Sequence, residues 1–290
     1  MAKKILITSG DSWTAGSIGG INALRQSAPH PFILKDAVSF KNEEKLWPEI
    51  LAEKLGWRYL NVARAGSGNE YIYSSMIDAL TQVKNVGLAI CLWSHFNRWC
   101  FPNESIKVDP KNPDKFSTFL TDRIKKNPDL VKELYRNGVA NTIFENCERM
   151  LDEGNMKSVE EYNIFKGLRW FDAFQNFCIC HDIPFMHAGA FYPIESYYED
   201  LITSKRIESF FMHPLYDYIK EENFVGWPIF TRLGGFTMSS QLDWKDPERT
   251  LLRIGHTRSS DLGGQGDMHP NEAGHELISE VFYEHYKKLR

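Results

Sequence analysis

The residues best suited to chemistry lie near the two ends of the chain. Gly10-Asp11-Ser12 follows the apolar run Ile5-Leu6-Ile7-Thr8-Ser9, and Asp267-Met268-His269-Pro270-Asn271 precedes an amphipathic stretch. A serine hydroxyl becomes a nucleophile when a neighbouring imidazole takes its proton, and a carboxylate that orients the imidazole completes the set. Ser12, His269 and Asp267 are those three residue types. Each end also has a plain structural use: Ser12 as a turn residue, His269 as a residue at a helix start. Acyl transfer further needs donors for a developing oxyanion. The amides of Ser12 and of Gly66, in Arg64-Ala65-Gly66-Ser67-Gly68-Asn69, are candidates. A glycine there lets the backbone approach a reacting carbonyl with no side chain in the way.

The elements between these ends must bring them together. Residues 5–9 predict a buried first strand that stops at Gly10, and residues 59–63 a second. Residues 86–93 are apolar almost throughout, as suits a strand covered on both faces. Helical spacing links Leu46, Ile50, Leu51 and Leu55 in a helix over 43–55 that Gly56 ends. It also links Ile72, Met76, Ala79, Leu80 and Val83 over 71–83. This alternation predicts an α/β fold with a parallel sheet and right-handed crossovers. Ligands in such sheets collect at the carboxyl edge of the strands, where Ser12 falls.

Further on, residues 100–114 are polar and proline-bearing, and 116–150 predict two helices broken near Gly138. A longer helix is expected over 159–180 and a fourth strand over 183–187. Residues 190–265 predict a long elaboration over one edge, a candidate lid, with one more strand near 251–254. The last helix is expected from Pro270, a residue suited to a first helical position, to about Lys288. With no repeat and no linker, one domain over 1–290 is expected, with insertions at about 100–160 and 190–260.

Composition narrows the function classes. The chain has 290 residues, 42% of them hydrophobic and 13% aromatic, enough for a sizeable core. A net charge of -4 leaves no electrostatic footprint for nucleic acid. No run of about 18 apolar residues exists to span a membrane. The Met-Ala-Lys-Lys start leads into an apolar run too short for a secretory segment. Five cysteines, an odd number, fit reduced thiols in a cytoplasmic protein. Cys178-Ile179-Cys180-His181 lacks the second ligand pair of a zinc site and is expected as part of a helix. No metal or cofactor is expected.

The blocks resemble those of the SGNH (GDSL-type) hydrolase superfamily. Gly10-Asp11-Ser12 matches its first block. Asn61 to Gly66 is similar to its second, Asn-x-Gly-x-x-Gly, with Ala63 in the middle glycine's place; Asp267 to Asn271 is similar to its last. The resemblance covers about 3–98 and 183–288. It implies a three-layer α/β/α fold around a five-stranded, flavodoxin-like parallel sheet, and a serine esterase without metal or cofactor. Acetylated polysaccharides, lipids and thioesters are the substrates it implies.

Two blocks depart from the pattern. The third, usually Gly-x-Asn-Asp with an Asn donating to the oxyanion, stands here as Trp93-Ser94-His95-Phe96-Asn97-Arg98. Asn97 is the candidate donor and His95 its rival. This Trp-Ser-x-x-x-Arg form is similar to polysaccharide- and phage-associated branches, which adds virion association to the possible settings. The family's acid lies three residues before the histidine, where this chain has Gly266; Asp267 is two before. Asp267, Asp261 or a Ser–His dyad are the alternatives.

Trp13, Ser94, His95 and Arg98 are the candidate substrate contacts. Trp13 would stack on a sugar, wall an acyl pocket, or pack in the core. Arg64 and Arg98 would hold a polar or anionic group or form ion pairs. The function expected is a carbohydrate O-deacetylase or other small-ester hydrolase, its partner a small-molecule or glycan ester. A non-catalytic binding module and an acyltransferase on the same fold are the alternatives. An open cleft would favour hydrolysis and a dry, lidded one transfer.

Overall fold

The computed structural model describes residues 3–16, 45–64, 67–96, 98–102, 116–120, 156–191, 208, 210–255 and 267–290. Its elements begin with strand β1 (Ile5–Ser9), the single-turn helix α1 (Ser12–Ala15), helix α2 (Trp47–Leu55) and strand β2 (Arg58–Asn61). Helix α3 (Asn69–Gln82) and strand β3 (Val86–Trp93) follow, then strands β4 (Arg98–Pro102) and β5 (Phe116–Leu120). Helix α4 (Met156–Cys180) leads into strand β6 (Phe185–Gly189). The last elements are β7 (Phe224–Val225), α5 (Met238–Lys245), β8 (Arg253–Gly255), β9 (Asp267–Pro270) and α6 (Glu272–Lys288).

The main sheet has five strands in the order β2-β1-β3-β6-β7. Every pairing within it is parallel. Counted within the sheet, this is the 2-1-3-4-5 order of a flavodoxin-like doubly wound fold, with its switch point between β1 and β3. Successive side chains on a strand point to opposite faces, so each strand feeds two cores. Ile7, Ala89, Cys91 and Trp93 pack with Ile72 and Met76 of α3 and with Leu168, Phe171 and Phe174 of α4. Leu6, Leu88, Ile90 and Leu92 pack on the other face with Trp47 and Leu51 of α2 and with Ile278 and Phe282 of α6. The result is three layers, α/β/α. Among the described residues no helix is long and apolar enough to cross a membrane.

Gly56 stops α2 in the left-handed region, at φ 68°, and its N–H closes on the last turn. In the α4-side core, His187 of β6 is fully buried among Phe171, Phe174 and Phe224. Its Nδ1 accepts the Trp93 indole N–H at 3.0 Å. Burial pushes its pKa down to about 3, so the ring is neutral and acts as a core residue.

The strand expected near 251–254 forms over Arg253–Gly255 and pairs antiparallel with β9, apart from the main sheet, whose fifth strand is the two-residue β7, too short to leave a periodicity. Two expectations are corrected. Residues 116–120 form a strand, not the start of a helix, because they pair antiparallel with β4, Arg98 opposite Leu120; the rest of 116–150 lies outside the described residues. Pro270 is the last residue of β9, and α6 starts only after its cap, Asn271.

Cys91 and Cys178 are free and buried, whereas Cys180 is exposed. Burial pushes the Cys91 and Cys178 thiols up. The thiolate is the reactive form. Iodoacetamide should therefore modify Cys180 in the native protein and leave Cys91 and Cys178 untouched until denaturant is added, as read by peptide mass spectrometry. Native-state modification of Cys178 at the rate of Cys180 would contradict this packing.

Candidate active site

Ser12 opens α1, and the local sequence explains why the chain turns there. Asp11 caps the helix from an extended conformation, its Oδ1 accepting from the Trp13 N–H at 3.0 Å. The Asp11 carbonyl accepts from the amides of Thr14 and Ala15, and the Ser12 carbonyl from that of Gly16. Gly10 lets this turn lie flat on the sheet: a Cβ there would sit 2.1 Å from the Thr14 hydroxyl. Asn61, at the end of β2, braces the turn from the side. Its Nδ2 donates to the Thr14 carbonyl at 2.7 Å, while its Oδ1 accepts from Thr8 Oγ1 and the Ala63 amide, each at 3.2 Å.

His269 reaches the same edge on β9, which is held in three ways. Arg253 of β8 lies opposite Pro270 in the antiparallel pair. Asn271 accepts from the Gly274 amide at 3.0 Å, capping α6, and its Nδ2 donates to the carbonyls of Leu251 and Arg253 at 2.9 and 3.0 Å. Arg253, itself 2% exposed, donates from Nη2 to Asp243 Oδ1 at 2.6 Å and lies over the Trp13 ring. The hairpin is thus tied to α5 and to the residue beside Ser12.

These supports place His269 Nε2 2.7 Å from Ser12 Oγ. A hydroxyl donating to Nε2 requires the imidazole proton on Nδ1. That is the arrangement in which a base can take the serine proton. His275, further along α6, is buried, and burial pushes its pKa down to about 4, with the nearby His269 ring acting in the same direction. It therefore stays neutral beside the pair.

The third block takes up a different position from the one expected of a substrate contact. Asn69 Oδ1 accepts from the Ser94 amide at 2.8 Å, and its Nδ2 donates to the Ser94 carbonyl at 3.3 Å. Ser94 Oγ then donates to Asp11 Oδ2 at 2.7 Å. Arg98 Nη1 donates to the same oxygen at 2.9 Å and to the Ser67 carbonyl at 3.2 Å. Ser94 and Arg98 thus spend these groups on the nucleophile turn.

Trp13 is 1% exposed and packs edge-on against Phe191, ring centroids 4.8 Å apart. Its indole is core, with no face open for a sugar. His95 is buried and stacks on Phe191 at 4.4 Å and 10°. Arg64 lies over the Tyr71 ring. Phe191, which touches Trp13, His95 and Arg98, was not singled out in the sequence. Its place two residues past the end of β6, on the carboxyl edge, is the signal that marks it.

Gly66, Asn97 and Asp261 lie outside the described residues, as does the Asp267 side chain; the Asp267 backbone lies in β9. Among the described residues no group of three or more His, Cys, Asp or Glu side chains is placed to hold a metal ion.

No protein-family model matches the chain, and no curated protein does. Among solved structures, the chain is similar to a protein assigned to the G-D-S-L lipolytic family from Desulfitobacterium hafniense DCB-2. The identity is 12% and the TM-score 0.41, over 97% of this chain and 99% of that one. It is also similar to a protein assigned as an acylhydrolase from Bacteroides fragilis NCTC 9343, at 10% identity and a TM-score of 0.26, over 99% of this chain and 88% of that one.

Proposed function

We propose that the protein is a serine hydrolase of the SGNH type that cleaves a carboxylic ester through an acyl-enzyme. The observation that carries this reading is the 2.7 Å contact between Ser12 Oγ and His269 Nε2 at the carboxyl edge of a doubly wound sheet. Ser12 Oγ attacks the ester carbonyl while His269 takes its proton. The tetrahedral oxyanion is met by the Ser12 amide, with the Gly66 amide and the Asn97 side chain as further donors. His269 then protonates the departing alcohol, and the acyl group stays on Ser12. Water, activated by the same imidazole, releases the acid and restores the serine. Asp267 is the proposed orienter of His269.

An acetylated carbohydrate or other small ester is the substrate class we propose. Trp13 and Trp93 are buried, so contact with the sugar falls to other groups. The whole of 1–290 is taken as one such domain.

The test is labelling by a fluorophosphonate probe, which reacts only with an activated serine. The native protein should be labelled and Ser12→Ala should not. A folded native protein that is not labelled would overturn the esterase reading and leave a binding module on the same fold.

A further inference from the structure

We infer that Arg98, with Ser94 hydrogen-bonded to the same oxygen, is a positioning residue that neutralises the carboxylate capping the nucleophile turn, so that the oxyanion can form beside it. This rests on the esterase reading. Asp11 is needed where it stands, because its Oδ1 holds the Trp13 amide and so fixes the first turn of α1. The same carboxylate is fully buried and adjoins the residue whose amide meets the developing oxyanion. A buried anion that close repels a second negative charge strongly, since little solvent screens it. A capping aspartate in this position thus works against the chemistry unless its charge is matched.

The structure matches it on the oxygen that the cap leaves over. Asp11 Oδ2 receives Arg98 Nη1 at 2.9 Å and Ser94 Oγ at 2.7 Å. The Arg98 side chain is 12% exposed and is itself fixed by the Ser67 carbonyl at 3.2 Å. Ser94 is fixed by the paired hydrogen bonds to Asn69. The carboxylate is therefore divided, one oxygen to geometry and one to charge balance. Ser94, just past the end of β3, and Arg98, the first residue of β4, carry out the second task. The guanidinium acts on the reaction through Asp11 and not by touching substrate.

The charge argument separates this role from a plain ion pair and from a substrate contact. Arg98→Met leaves the carboxylate unmatched, whereas Asp11→Asn keeps a capping side chain and removes the charge. The experiment is fluorophosphonate inactivation, with kinact and KI measured separately at a temperature where near-ultraviolet circular dichroism shows each variant folded. Arg98→Met should lower kinact about 100-fold with KI unchanged. Adding Asp11→Asn should restore kinact to within about tenfold of the native value, and Arg98→Lys should recover most of it. Should Arg98→Met not fold, the double variant still decides, since kinact within about tenfold of the native value is expected from it.

A double variant that is labelled as slowly as Arg98→Met would overturn the inference. So would an Arg98→Met effect confined to KI, the signature of a substrate contact. Unchanged kinact in Arg98→Met, with labelled native protein, would overturn it alone; unlabelled native protein would take the esterase reading down with it.

Discussion

His269→Ala is expected to lower ester turnover and fluorophosphonate labelling about ten-thousand-fold or more. Without an acceptor 2.7 Å away, the Ser12 hydroxyl keeps its proton and is a poor nucleophile at neutral pH. The same loss is expected of Ser12→Ala, and the Ser12→Ala/His269→Ala double should be no slower than either single. Groups that act as one unit show this lack of additivity, because the first removal already abolishes the step that the second would impair. His269 is only half-buried and lies on a hairpin held by Asn271 and Arg253, so its loss should leave the thermal midpoint nearly unchanged. The measurement is turnover of p-nitrophenyl acetate by the three variants, with thermal unfolding alongside. Additive losses would mean that serine and histidine do not work on the same proton.

The framework of the fold was legible where strands bury both faces or stop at a glycine, as β3 and β1 do. Residues 86–93 read as a strand from their unbroken apolar run and form one over the same span. Ile5–Ser9 did so for the same reason. What escaped was set by pairing and not by local pattern. β7 is two residues long, and β5 exists because β4 lies beside it. The meeting of Ser12 and His269 was legible too, since both block signatures sit at strand ends that one crevice can collect. The task of Ser94 was not, and core packing for Trp13 and an ion pair for Arg98 stood only as alternatives to a substrate contact. Residue type suggested groups that greet a ligand, yet whether an indole or a guanidinium faces outward depends on partners far along the chain. Trp13 meets Arg253 and Phe191, and Arg98 meets Asp11. No spacing within either block encodes those contacts. Asp11 shows the converse: its cap joins near neighbours in the chain, Oδ1 to the Trp13 amide two residues on.

Gly10→Ala should damage stability and chemistry together, the second large effect expected. A Cβ at this position would lie 2.1 Å from Thr14 Oγ1, 2.7 Å from Thr14 Cβ and 3.2 Å from the Leu92 carbonyl. Leu92 belongs to the central strand β3 and cannot retreat. Thr14 is branched at Cβ, is fully buried, and sits in a turn whose carbonyl is held by Asn61. Relief therefore has to come from lifting the turn, which carries Ser12 with it. Overpacking of this kind costs about 1–3 kcal/mol, which for a chain of this size corresponds to a fall of a few degrees in thermal midpoint. The displacement of Ser12 from His269 should slow labelling about 100-fold, since a shift on the order of 1 Å has that effect on aligned reacting groups. Thr14→Ala in the same background removes the hydroxyl but keeps the Cβ at fault, so it should recover part of both losses and not all. Native labelling in Gly10→Ala would show that the turn can absorb a methyl without moving its serine, and the glycine of the first block would then owe its place to something other than close packing on β3.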